Sequence, residues 1–141
     1  MKIKTELINF PEGLDLDSGD RLDSFELMVE SYGELNESKT NAILVCHAFS
    51  GNHHVSGENS ERETGWWDEI VGPNKAIDIN KYYVVCCNNL GGCSGSSGPK
   101  SINPSTKKAY GGNFPLVSVS DWVNSQKMLL DKLDIPFWSF V

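Results

Sequence analysis

The run His47-Ala48-Phe49-Ser50-Gly51-Asn52 is the stretch of this sequence best suited to chemistry. It leaves the end of an apolar run. A small, an apolar and a glycine residue within that stretch let a backbone N–H turn into a cavity. An N–H so placed beside a reacting carbonyl stabilises the negative oxygen of a tetrahedral species. The same residues also fit an ordinary strand-to-loop turn in which His47 hydrogen-bonds to backbone. A second segment, Asn88 to Pro99, is rich in glycine and serine and follows another apolar run. It has no G-x-G-x-x-G, and Pro99 stands before Lys100 where a phosphate loop would need its glycine. The next helix start is far downstream, so no helix N-terminus waits for a phosphate. A tight bend beside a neighbouring site is the better reading.

Other candidates carry less. Cys46, His47, His53 and His54 lack any recurrent zinc-ligand spacing, so no metal site is assigned. There is no C-x-x-C, and Cys46, Cys86 and Cys87 lie in apolar runs as small core residues, while Cys93 lies in the glycine-rich loop. The acidic stretch Asp15 to Glu26 has Asp20 where a calcium loop needs glycine, and reads as a plain acidic turn. A G-x-S-x-G nucleophile elbow is absent. Ser94 has Gly92 before it but Ser96 after it, and Ser97 has Gly95 before it but Pro99 after it.

The elements that must position these residues follow from three apolar runs. The pattern predicts strands over about 42–47, 82–88 and 137–141, the first two continuous rather than alternating, as in strands covered on both faces. Between the last two, Ser118 and Asp121 form a capping pair ahead of a helix over about 119–133, with Val119, Trp122, Val123, Leu129, Leu130 and Leu133 on one face. A shorter helix is predicted over 65–71, closed by Gly72-Pro73. Alternation of Phe25, Leu27 and Val29 with glutamates, and the turn residues Ser18-Gly19-Asp20, predict a hairpin over 14–32. Strand, helix, strand, helix, strand is the grammar of an α/β protein with a mostly parallel sheet. No repeat or linker divides the chain, which is read as one domain.

Composition narrows the partners. The 141 residues carry 12 Lys plus Arg against 19 Asp plus Glu, a formal charge of -7. That balance argues against nucleic acid and against an anionic membrane surface, both of which need a basic patch. With 39% hydrophobic and 22% charged residues the chain is expected to bury a core, and no apolar run reaches the roughly 20 residues a transmembrane helix needs. The N-terminus lacks the apolar stretch of a secretory signal, so a cytoplasmic location is expected.

Longer blocks then become legible. GWWDEIVGPNKAIDINKYYVVCCNNLGGCSGSSGPKSINPSTKKAYGGNFP, with NAILVCHAFSGNHHVSG upstream, resembles the homoserine O-acetyltransferases of methionine biosynthesis, from about Leu22 to the last residue. The resemblance implies the N-terminal portion of an α/β-hydrolase fold. It also implies small-molecule substrates, acetyl-CoA as acyl donor with no bound cofactor, and homodimers of full-length members. A serine activated by an Asp-held His would take the acetyl group and pass it to the homoserine hydroxyl. By the same resemblance the Phe49 backbone amide is half of the oxyanion hole, and Ser50 and Gly51 belong to the substrate-binding turn. Phe49 and Ser50 stand where the family usually has leucine and threonine. Ser120 stands where it commonly has an arginine.

The elbow should follow strand 137–141, so serine, acid and histidine are all expected to be missing and the chain alone to be inactive. Related succinyl transfer to homoserine or serine, a serine hydrolase of other specificity, and a non-catalytic binding remnant are the alternatives. Phe137 to Val141, an uncovered apolar edge, is expected to make the isolated chain self-associate.

Overall fold

The computed structural model describes residues 3–141. Among these residues eight strands, one α-helix and a 3-10 turn at Gly111–Asn113 are formed. The strands and helix are β1 (Ile3–Phe10), β2 (Leu14–Asp15), β3 (Arg21–Leu22), β4 (Phe25–Tyr32), β5 (Ala42–Leu44), β6 (Val71–Gly72), β7 (Ile77–Asp78), β8 (Tyr83–Cys87) and α1 (Val119–Lys132). The main sheet runs β1-β4-β8-β5. Its first two pairings are antiparallel and only β8 with β5 is parallel, so this part of the sheet is mixed.

β4 is the spine. Phe25, Leu27 and Val29 point to one face and join Val85, Cys87 and Leu129 of α1. Tyr32 and Cys86 belong to the opposite face with Ile43, Val45, Val55 and Val71. Period-two alternation thus gives one strand two cores, one under the helix and one under the segment 52–80. No helix among the described residues is long and apolar enough to cross a membrane.

Several elements differ from their sequence expectation. The hairpin expected over 14–32 is two things: the small β2–β3 hairpin, and β4, which pairs along its whole length with β1. Lys4 and Glu6 interrupt the apolar pattern of β1, which is half-solvated at the sheet edge. The helix expected over 65–71 is a chain of turns. The N–H groups of Trp66 and Trp67 donate to His54 O and Val55 O at 3.3 and 2.8 Å, which diverts this backbone from a helical ladder. Gly65 lies so close to Ser56 that a Cβ would sit 2.1 Å from its nitrogen. The strand expected over 137–141 is reduced to a single parallel bridge between Ile43 and Phe140. Cys46, expected in the core, is exposed, whereas Cys86 and Cys87 are buried; all four cysteines are free.

α1 begins with the capping box read from the sequence, Ser118 accepting from the Asp121 N–H and Asp121 accepting from the Ser118 N–H. Its buried stripe is Asp121, Ser125, Leu129 and Leu130, whereas Val119 and Val123 are exposed. Between these stripes the Trp122 indole N–H donates to Leu90 O at 2.9 Å. Asp121, fully buried, also accepts the Asp17 N–H at 3.0 Å, so one carboxylate joins the β2–β3 hairpin to the helix N-terminus.

Candidate active site

β5 and β8 end side by side, and the loops leaving them build a cleft of about 370 Å³. Open α/β sheets place ligands at this end of parallel strands. From the β5 side come His47, Phe49, Ser50 and Gly51; from the β8 side come Asn89, Leu90 and the glycines after it; Leu116 and Trp122 close it.

Residues 48–51 make a tight turn, closed by the Gly51 N–H donating to Ala48 O at 2.8 Å. Gly51 packs on His47: a Cβ there would lie 3.1 Å from the His47 Cβ and 3.3 Å from its Nδ1. Phe49 occupies the second position of the turn. Among the described residues its N–H has no acceptor, so this donor is left for whatever enters the cleft. Its side chain is 90% exposed, with the ring 6.4 Å from that of Trp122.

His47 spends both ring nitrogens. The Asn89 N–H donates to Nε2 at 3.2 Å, and Nδ1 lies 2.7 Å from Ala48 O. The backbone role open to this histidine from the sequence is therefore present, and it ties the two loops together. The β8 loop is itself held from α1, by Trp122 on Leu90 O and by Gln126 Nε2 on Asn89 Oδ1 at 3.3 Å.

Ser96 and Ser97 of the glycine-rich loop are structural. Ser97 Oγ accepts the Glu26 N–H and Ser96 Oγ the Met28 N–H, each at 2.9 Å, while Ser96 donates to Asn88 O. These hydroxyls satisfy the end of β4 where β8 has already turned away.

A second polar cluster escaped sequence reasoning. Glu30, buried in β4, accepts from Thr5 Oγ1 at 2.9 Å, from His54 Nδ1 at 2.9 Å and from the Tyr32 hydroxyl. The Tyr32 oxygen in turn accepts the Val55 and Ser56 N–H groups at 2.8 and 3.2 Å, and His54 Nε2 reaches Glu63 O at 3.1 Å. With both nitrogens aimed at acceptors, the surroundings of His54 favour its protonated form. Burial opposes that charge, but the bond and charge of Glu30 outweigh it, so the pKa of His54 is raised from 6.5. Neighbouring His53 goes the other way. Burial lowers its pKa, aided by the other two histidines and opposed by Glu30, and its Nδ1 is buried without a partner among the described residues. The signal in the sequence was weak, because Glu30 continues the alternation of glutamates with apolar residues begun by Glu26, yet it is buried. Its partners lie up to 25 residues away, which no local pattern could show. His54 thus belongs to the Glu30 cluster and His47 to the cleft, and among the described residues no group of three or more His, Cys, Asp or Glu side chains is placed to hold a metal ion.

A mixed sheet, a helix after the β8 loop and a turn with a free amide at the β5 exit are features of the α/β-hydrolase fold, and the chain has that fold. A solved homoserine O-acetyltransferase from Bacillus anthracis superposes with a TM-score of 0.89 at 34% identity, covering 98% of this chain and 39% of that one. Esterase E22 superposes with a TM-score of 0.88 at 36% identity, covering 97% and 39%. A homoserine O-succinyltransferase from Hahella chejuensis is 54% identical over 141 residues, 99% of this chain and 37% of the relative. No family model matches the chain. The chain spans about 37% of the length of the curated relatives it matches. Its likeness is to homoserine O-acyltransferases, whose names divide between acetyl and succinyl donors.

Proposed function

We propose that this chain is the N-terminal part of a homoserine O-acyltransferase and contributes the oxyanion turn of its active site. The observation that carries the reading is the 54% identity along the chain, to a protein named for that chemistry, together with a free amide at the β5 exit. In this reading an acyl-CoA thioester carbonyl enters the cleft. As its oxygen gains negative charge, the Phe49 N–H donates to it. Loss of one such donor costs about 3 kcal/mol of transition-state stabilisation. The turn at Ser50 and Gly51 shapes the floor on which the acyl group lies. His47 is no base here, because its Nε2 already accepts the Asn89 N–H. The attacking hydroxyl and its base are assigned to no residue of this chain.

Both donors have support. Acetyl-CoA fits the sequence blocks and the solved acetyltransferase, and succinyl-CoA fits the names of the relatives above 50% identity. Small-molecule substrates and a cytoplasmic location belong to the same proposal. The test is CoA release by the protein as encoded, with homoserine and either acetyl-CoA or succinyl-CoA. Homoserine-dependent release with one donor supports the reading and names the donor. Release independent of homoserine, or ester hydrolysis alone, would place the protein with the esterases instead.

A further inference from the structure

We propose that His47 is a positioning residue: held as the Nδ1–H tautomer, it clamps the 48–51 turn to the loop after β8 and so fixes the direction of the Phe49 amide. Its functional consequence rests on the acyl-transfer reading; its structural content does not. The tautomer follows from the donors around the ring. The Asn89 N–H can only donate, so Nε2 must accept, and the ring proton is left on Nδ1, directed at Ala48 O.

The two bonds have unequal weight. The turn keeps the Gly51 N–H to Ala48 O bond whatever His47 does, so the Nδ1 bond is redundant with it. The Nε2 bond is not. It is the hydrogen bond that connects the 47–51 segment to the β8 loop, and through Trp122 and Gln126 that loop is fastened to α1. Phe49 is 90% exposed, so little packing on its side chain fixes the direction of its amide, which depends on how the turn as a whole is held. Gly51 completes the arrangement, since a side chain there would press on the imidazole.

Amide side chains separate the two bonds. Glutamine offers an oxygen at the place of Nε2, and asparagine offers an N–H at the place of Nδ1. In the protein as encoded, His47→Gln is expected to hold kcat within about threefold, whereas His47→Asn lowers kcat about 10- to 100-fold with the KM for homoserine unchanged. Two measurements need no activity. Nitrogen-15 spectra of the wild-type imidazole should show Nδ1 protonated and Nε2 accepting. The order parameter of the Phe49 amide should drop from about 0.85 toward 0.6 in His47→Asn and stay high in His47→Gln. An Nε2–H tautomer in the wild type, or equal Phe49 order in the two variants, overturns the proposal. If the wild type transfers no acyl group, the functional reading falls, and the spectra still decide the clamp.

Discussion

Phe49 presents two separable things to the cleft, an amide hydrogen and a benzyl group. If only the amide stabilises the oxyanion, replacing the ring should matter little and removing the hydrogen should matter greatly. Phe49→Leu is expected to leave kcat within about a factor of a few, while Phe49→Pro, which has no N–H yet suits the second position of a turn, lowers it about 100- to 1,000-fold. Steady-state rates of homoserine-dependent CoA release check both.

The two adjacent histidines set a pH signature at the same scale. The folded pKa of His54 is raised above 6.5, so its contribution to stability is complete below that value and is lost as pH rises through the raised one. The folded pKa of His53 is lowered, so its contribution is complete above 6.5 and is lost as pH falls through the lowered one. Melting temperature should therefore peak near pH 6.5. His54→Gln should flatten the alkaline limb and His53→Gln the acid limb, as thermal melts across pH will show.

Elements were legible in the sequence where one local rule decided them. Ser118 and Asp121 announce the start of α1 because a capping box is complete within four residues. Ala42–Leu44 and Tyr83–Cys87 are legible because strands buried on both faces must be continuously apolar. The turns at 65–71 were misread because Trp66 and Trp67 bond to backbone ten or more residues upstream, a contact that helical spacing cannot reveal. Trp122, Leu129, Leu130 and Leu133 pack on the core as their spacing indicates, but Val119 and Val123 are exposed because Asp121 and Ser125, polar by type, take the inward places in the first turns. Of the candidate site, the turn was visible from its glycine and small residues, but its attachment to Asn89 was not. The buried Asp121 carboxylate receives two backbone N–H groups, one from the hairpin and one from the helix cap. Asp121→Ala strands both donors and should destabilise the protein by about 3 kcal/mol, more than the roughly 1 kcal/mol expected for loss of a cap alone. Denaturant titration measures the difference.

At the scale of the molecule, apolar surface collects where residues 139–140 bridge the outer edge of β5. Phe137, Phe140 and Val141 are 49, 59 and 82% exposed, and the last two border an apolar hollow of about 440 Å³ formed with Ile43, Trp67 and Tyr82. Prepared as these 141 residues alone, the chain is expected to self-associate in a concentration-dependent way and to bind an apolar dye. Sedimentation as a compact monomer with a cooperative melt would contradict this.

The carboxylate that joins the β2–β3 hairpin to α1 bridges 104 positions of chain. During synthesis the early hairpin emerges long before its anchor does, and it must wait, undocked, while the intervening loops and the last-made parallel strand are translated. Closing so long a loop is entropically slow, so this latch should be among the last contacts to form and among the first to open under stress.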